Sequence, residues 1–139
     1  MILESAQMMS SVAYRYGHEG LYKLTHKNHP CTLWAGNRYE NWIWLAEHAN
    51  EMDEEKKRRF GSSHKSIAVV NYHLELGHGP PKDGKPIEPF AQAMPVQYRD
   101  SDAVAAYRNY YLNEKQFAKD LKRPKWTNTS PPEWWSFKE

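Results

Sequence analysis

The sequence predicts an all-α protein: a single compact domain of about four helices, with a long Gly/Pro loop before the last helix and an aromatic C-terminal tail. Three observations predict it. Apolar residues recur at helical spacing in four segments. Glycines stand where those patterns stop. Prolines gather in one connection rather than inside the elements. At 139 residues, 40% hydrophobic and 26% charged, the chain 1–139 is expected to fold, and as one domain.

The first helix is read from Met1 to Tyr16, with Ile2, Ala6, Met9, Ala13 and Tyr16 on one face and Gly17 and Gly20 closing it. Its pattern already runs at Met1 with no cap ahead, so either the helix starts uncapped or residues are missing upstream. Glu4 lies roughly opposite the stripe, beside Gln7, Met8 and Ser11. A second helix is read from about Asn37 to Arg59, where Leu45, Ala49 and Met52 continue a stripe begun by Trp34 and Trp42. Its acids precede its bases, giving Asp53–Lys57, Glu54–Arg58 and Glu55–Arg59 at i,i+4, and Gly61 supplies the stop. This run reads as a solvated helix end before it reads as a phosphate contact.

Ser62 or Ser63 is the expected cap of a third helix, His64 to Leu76. Ile67, Val70 and Leu74 line one side and Val69, Tyr72 and Leu76 another, so it is expected to be central. Gly77 to Asp100 carries Gly77, Gly79, Pro80, Pro81, Pro86, Pro89 and Pro95 and reads as an extended loop. A fourth helix follows, about Ser101 to Leu121. There Ala103, Tyr107, Tyr110, Phe117 and Leu121 share a face, and Arg108, Lys115, Lys119 and Lys122 another with Tyr111 at its border. Glu114 falls inside the apolar stripe, where a carboxylate needs a partner such as Arg38 or Arg108, or else serves as a raised-pKa acid.

Two segments are dense in hydrogen-bonding side chains: Thr25-His26-Lys27-Asn28-His29-Pro30-Cys31, and Tyr107-Arg108-Asn109-Tyr110-Tyr111 with Glu114-Lys115. Both suit a flat, anionic ligand, with nucleic acid first and a free nucleotide second. A basic stripe edged by an aromatic neutralises phosphates while a ring stacks. His64 and Lys65, at a helix start, suit an anion because free backbone N–H groups and the dipole act together. The net charge of +2 is small for a dedicated nucleic-acid binder, so the argument rests on how charge is distributed. His26, His29 and Cys31 lack a partner pair at zinc spacing, so no metal and no cofactor is expected. A lone Cys excludes an intrachain disulfide and suits a reducing compartment. No stretch is apolar enough to span a bilayer and no signal peptide is evident, so a cytoplasmic protein is expected.

Most of the chain, Met1 to Trp135, resembles a family of small, largely uncharacterised proteins of tailed bacteriophages. The residues that carry this are Ile2-Leu3-Glu4-Ser5-Ala6-Gln7, the Thr25 to Cys31 run with Trp34, Asn41 with Trp44-Leu45, Gly61 with His64-Lys65-Ser66, Gln92-Ala93-Met94-Pro95, and Tyr107 to Tyr111 with Glu114-Lys115. More remotely, the second half resembles the pyrimidine dimer DNA glycosylases of the endonuclease V type, compact all-helical enzymes. The order of Met94-Pro95, Tyr98-Arg99, Leu112-Asn113-Glu114-Lys115, Arg123-Pro124, Trp126 and Trp134-Trp135 carries that likeness.

The resemblance implies an N-terminal α-amine that forms a Schiff base with the sugar C1′, assisted by a helix glutamate. Glu4 matches that glutamate and Lys115 a phosphate-contacting lysine. The segment that should precede the first helix, with its nucleophile and a histidine, is absent, as is the upstream Cys-Asp-Lys-His run of the phage relatives. Three explanations compete: a sequence that starts at an internal Met, a DNA-binding relative without the chemistry, or replacement of the nucleophile by the Met1 amine.

The expected function is therefore a phage DNA-binding protein of DNA glycosylase/AP-lyase type, acting on double-stranded DNA in the cytoplasm of the infected host cell. Glu4, His26 and His29 are the catalytic candidates. His64, Lys65, Arg108, Lys115, Lys119, Tyr110 and Trp34 are the DNA and phosphate contacts. The alternatives are an accessory protein that uses the Trp-rich tail to bind a host or phage protein, and an enzyme acting on free nucleotides.

Overall fold

The computed structural model describes residues 1–115 and 125–135, and every regular element among them is helical. The helices are α1 (Ile2–Arg15), α2 (Pro30–Asn37), α3 (Tyr39–Phe60), α4 (Ile67–Glu75) and α5 (Ala103–Asn113), with a short 3-10 turn at Val96–Tyr98. The all-α expectation holds. Contacts gather the chain into two compact units, Met1–Ala91 and Gln92–Glu139, and the division falls within the Gly77–Asp100 stretch that the sequence reads as one loop.

In the first unit α1 buries Ile2, Ala6, Met9 and Ala13 of the expected stripe, together with Val12, Ser5, Ser10 and Ser11, while Tyr16 just past its end is half-buried. The core joins these to Trp34 and Ala35 of α2, Trp42, Leu45, Ala46 and Ala49 of α3, and Val70 of α4. α2 is absent from the sequence reading. Its start is well specified, with Pro30 in the first turn and the His29 ring accepting the Cys31 N–H at 3.1 Å, a capping contact that favours helix entry. Its eight residues show no one-sided apolar pattern, so periodicity could not find it.

α3 ends as expected at Gly61, in the left-handed region at φ 79°, where a side chain would be strained. Of the expected i,i+4 ion pairs Lys57–Asp53 forms, at 3.9 Å, and tighter i,i+3 pairs stand beside it, Lys57–Glu54 at 3.0 Å and Arg58–Glu55 at 2.5 Å. α4 starts later than expected, with Ser66 rather than Ser62 or Ser63 at its N-cap position and no capping hydrogen bond from that side chain. It is not apolar-buried on two sides: Val70 and His73 are buried, whereas Tyr72 and Leu76 are exposed. Between α3 and α4, Asn50 and Asn71 exchange amide hydrogen bonds at 3.0 and 3.2 Å.

The stretch from Gly79 to Phe90 is a strap laid over α2 and α3. Arg38 donates to the Pro86 carbonyl at 3.0 Å and the Trp34 indole N–H to the Pro89 carbonyl at 2.8 Å. The buried Asn41 amide donates to Glu88 Oε1 at 3.0 Å and to the Trp34 carbonyl at 2.7 Å, and its oxygen accepts the Glu88 N–H at 2.9 Å. Phe90 packs on Trp34 and Trp44. At the other end Gly79 rests on the buried Trp42 indole, so closely that a Cβ would clash with the ring.

In the second unit Asp102 caps α5 by accepting from Val104 N and Ala105 N at 3.0 and 3.2 Å. Met94 and Ala106 are buried, and the Tyr107 hydroxyl accepts the Ala93 N–H at 3.2 Å. Glu114 is exposed at the end of α5 rather than within an apolar stripe, and its carboxylate takes a hydrogen bond from Tyr98, not from Arg38 or Arg108. The Tyr98 phenol is held above its usual pKa by burial first and by Glu114 second. Phe117, Lys119, Leu121 and Lys122 lie outside the described residues.

The strap yields a stability prediction. Gly79→Ala forces a methyl into Trp42 and is expected to cost about 1–3 kcal/mol, seen as a lowered urea midpoint at unchanged slope. Gly84→Ala, with open space around it but φ 72°, changes no packing and is expected to cost less.

Candidate functional site

Glu4 lies in the first turn of α1, largely exposed. The Met1 α-amine sits 2.7 Å from Glu4 Oε2. That amine's hydrogen bond first, then a backbone hydrogen bond, then its charge and that of His64 hold the carboxyl below its usual range. Glu4 is therefore ionised at neutral pH, the state of a base and not of an acid.

His64 reaches this place through the turn between α3 and α4. The buried Asp53 accepts the His64 backbone N–H at 2.7 Å and the Ser63 hydroxyl. Those two bonds, the backbone one first, outweigh burial and keep Asp53 below the normal carboxylate range, with Lys57 and Lys56 adding to them. The His64 ring accepts the Ser66 N–H on Nδ1 at 3.0 Å, and Ser66 Oγ pairs with the Tyr22 hydroxyl at 2.8 Å. Two N–H groups ahead of α4 are thus satisfied from within. What the His64-Lys65 segment offers a ligand is its side chains, the ring edge and the exposed lysine.

The Thr25 to His29 loop is tied to the same helix one step further along. Ser11 Oγ donates to the Thr25 carbonyl at 2.6 Å and accepts the Thr25 N–H at 3.2 Å. Glu4 and Ser11 are seven residues apart, nearly two helical turns, and so share a face of α1. His26 adopts φ 51°, unusual for a residue with a side chain. Both His26 and His29 are exposed, their rings edge to face with centroids 6.4 Å apart.

Trp34 is corrected. It is a core residue, 9% exposed and packed against Trp44 and Phe90, with its N–H given to Pro89, so it has no free face for a base. In the second unit Arg108 and Lys115 are exposed. The Arg108 guanidinium lies 5.3 Å from the Trp134 ring centre and the Lys115 ammonium 5.7 Å from that of Tyr110, which also packs on Tyr98. Trp134 packs on Trp135, and Trp135 on Trp126. Lys119 lies outside the described residues.

Among the described residues no group of three or more His, Cys, Asp and Glu side chains could hold a metal ion, and no helix is long and apolar enough to cross a membrane. A surface cleft of about 430 Å³ lies elsewhere, between α3 and the strap, lined by Glu40, Ile43, Trp44, Glu47, Lys85 and Ile87 among others. It contains none of the expected site residues, and its two carboxylates do not suit a phosphate.

The sequence reading missed the polar network that holds α1 against α4. Ser10 and His73, both fully buried, meet at 3.0 Å. Leu21 N–H also reaches His73 Nε2, at 3.3 Å, so that nitrogen is an acceptor and Nδ1 carries the proton, which it donates to His78 Nδ1 at 3.0 Å. His18 stacks on His78 at 4.4 Å. Ser10, a polar residue at the edge of the apolar stripe, was the available signal. Compared with known families, with curated proteins and with solved structures, the chain gives no match in any of the three.

The network makes stability depend on pH. Burial first, then the charges of His78 and His18, lower the His73 pKa from 6.5 to about 4, and His78 is lowered in the same direction by burial and then by His18. The contribution is fully present above pH 6.5 and is lost as pH falls toward 4. Unfolding free energy is expected to drop by about 2 kcal/mol between pH 7.5 and pH 5 through His73 alone, measured by urea titration. A His73→Asn variant, less stable at pH 7.5, is expected to show a smaller drop.

Proposed function

We propose that this chain is a phage DNA-binding protein of DNA glycosylase/AP-lyase type, working on double-stranded DNA in the cytoplasm of the infected cell. The observation that carries this reading is the assembly along one face of α1. Glu4 and His64, sixty residues apart in sequence, come together near the helix start, and the His26–His29 loop is bound to the same face at Ser11. A carboxylate near a partly exposed imidazole and an exposed lysine, with two exposed imidazoles further along the same face, fits a sugar-phosphate better than it fits an apolar ligand.

An amine where the Met1 nitrogen stands, 2.7 Å from Glu4, supplies the nucleophile that the resemblance calls for. Glu4 takes one proton from the ammonium, and the freed amine attacks C1′ as the glycosidic bond breaks with its electron pair on the base, which takes a second amine proton; Glu4 then gives its proton to O4′ as the C1′–O4′ bond opens, leaving a cationic Schiff base. The ionised Glu4 stabilises that cation and takes the C2′ proton as the 3′ phosphate departs. Lys65 contacts phosphate beside this site, and the exposed Arg108 and Lys115 of the second unit add phosphate contacts of their own.

Retention on duplex DNA is expected to fall steeply with salt. Lys65→Ala is expected to weaken binding on all sequences and to lower the salt slope by about 1. Glu4→Gln is expected to leave affinity within about twofold while abolishing the adduct trapped by borohydride on an abasic duplex. Salt-independent retention, or a wild-type protein that binds DNA but never traps, counts against the lyase assignment. Binding that tracks free nucleotide instead of duplex points to the nucleotide enzyme.

A further inference from the structure

We propose that His29 and His64 act as neutral hydrogen-bond donors through Nε2 to the oxygens of a phosphodiester, each ring locked in that tautomer by a backbone N–H bound to its Nδ1. The inference rests on the DNA reading for its ligand but not for its geometry. His29 Nδ1 takes the Cys31 N–H at 3.1 Å as α2 begins, and His64 Nδ1 takes the Ser66 N–H at 3.0 Å just ahead of α4. A nitrogen that accepts from an amide cannot itself carry a proton, so the neutral ring must hold its hydrogen on Nε2. In His29 that ring is exposed, and in His64 it is partly so.

Two imidazoles from different elements are therefore prepared the same way. Each turns its inner nitrogen to the main chain and keeps the outer one as a fixed donor. The charged or titratable neighbours are His26 beside His29, and Glu4 and Asp53 beside His64. Glu4 and Asp53 are both anionic at neutral pH, and the His64 Nε2–H is a donor that faces an anionic ligand beside them. Lys65 then supplies the charge and the histidines supply direction.

Asparagine and glutamine substitutions separate the two nitrogens. Asn places its carbonyl oxygen where Nδ1 stood and keeps the inner contact, but it has nothing at Nε2. Gln reaches the Nε2 position with an N–H and gives up the inner contact. For His64 and His29 alike, the Asn variant is expected to keep wild-type stability and lose about tenfold in duplex affinity. The Gln variant is expected to be less stable yet bind within about twofold of wild type. The Asn loss is expected to be the same at pH 8 as at pH 6, because the donor does not depend on charge. Nitrogen NMR of the free protein at pH 8 is expected to show the Nε2–H tautomer at both rings.

A purely structural role gives the reverse ranking, Asn tolerated and Gln impaired in binding as well as stability, and overturns the proposal. So does a tautomer mixture at either ring, or an Asn loss that disappears at pH 8. Should the wild type fail to bind duplex, the DNA reading falls while the donors are still tested with inorganic phosphate. Perturbation of both Nε2 signals sustains them, and its absence overturns them.

Discussion

The first unit depends on one buried polar contact, the hydrogen bond between Ser10 of α1 and His73 of α4. Both side chains are removed from water, and such groups are tolerated only when every donor and acceptor is matched. Here the matching is complete around Ser10. Its oxygen takes the Tyr22 N–H at 3.2 Å, and its hydroxyl proton faces a His73 nitrogen already committed to accepting. Apolar packing of Ala6, Met9 and Val70 lets the two helices slide along each other at small cost. The polar pair does not, because a shift of one residue leaves an unpaired imidazole in the core. That fixed register brings the segment ahead of α4, with His64, to the start of α1, with Glu4.

The turn between α3 and α4 satisfies itself in the same manner. Asp53 is an anion bound to the His64 backbone N–H and the Ser63 hydroxyl ahead of a helix, the position in which a phosphate would be welcome, and it belongs to the protein. An external anion at this place meets side chains, not the backbone. The arrangement differs from glycine-rich phosphate loops, where bare amides make the contact.

Much of this was legible in the sequence, and the reasons for the rest are physical. α1, α3 and the Gly61 stop were visible because one-sided burial imposes a 3.6-residue period and αL geometry favours glycine. α2 was not, because an eight-residue helix packed on several sides leaves no period. The strap read as featureless because its ties are main-chain carbonyls and one distant asparagine, which carry no local pattern. His26, His29 and His64 were named as residue types suited to a sugar-phosphate, and Glu4 through the family resemblance alone. Their assembly around α1 was beyond reach, since it runs through Asp53, Ser66 and Ser11, each unremarkable alone. Trp34 was misassigned because a tryptophan beside a polar motif looks the same in sequence whether it faces a base or the core.

The strap has a consequence for how this surface can change over evolutionary time. Two of its grips, at Pro86 and Pro89, are carbonyl oxygens, which exist whatever residue occupies the position, while Gly79 and Glu88 hold through the absence or the presence of a particular side chain. Divergence should therefore run freely between the fixed points, letting the outer face over α3 drift while the indoles beneath stay dry.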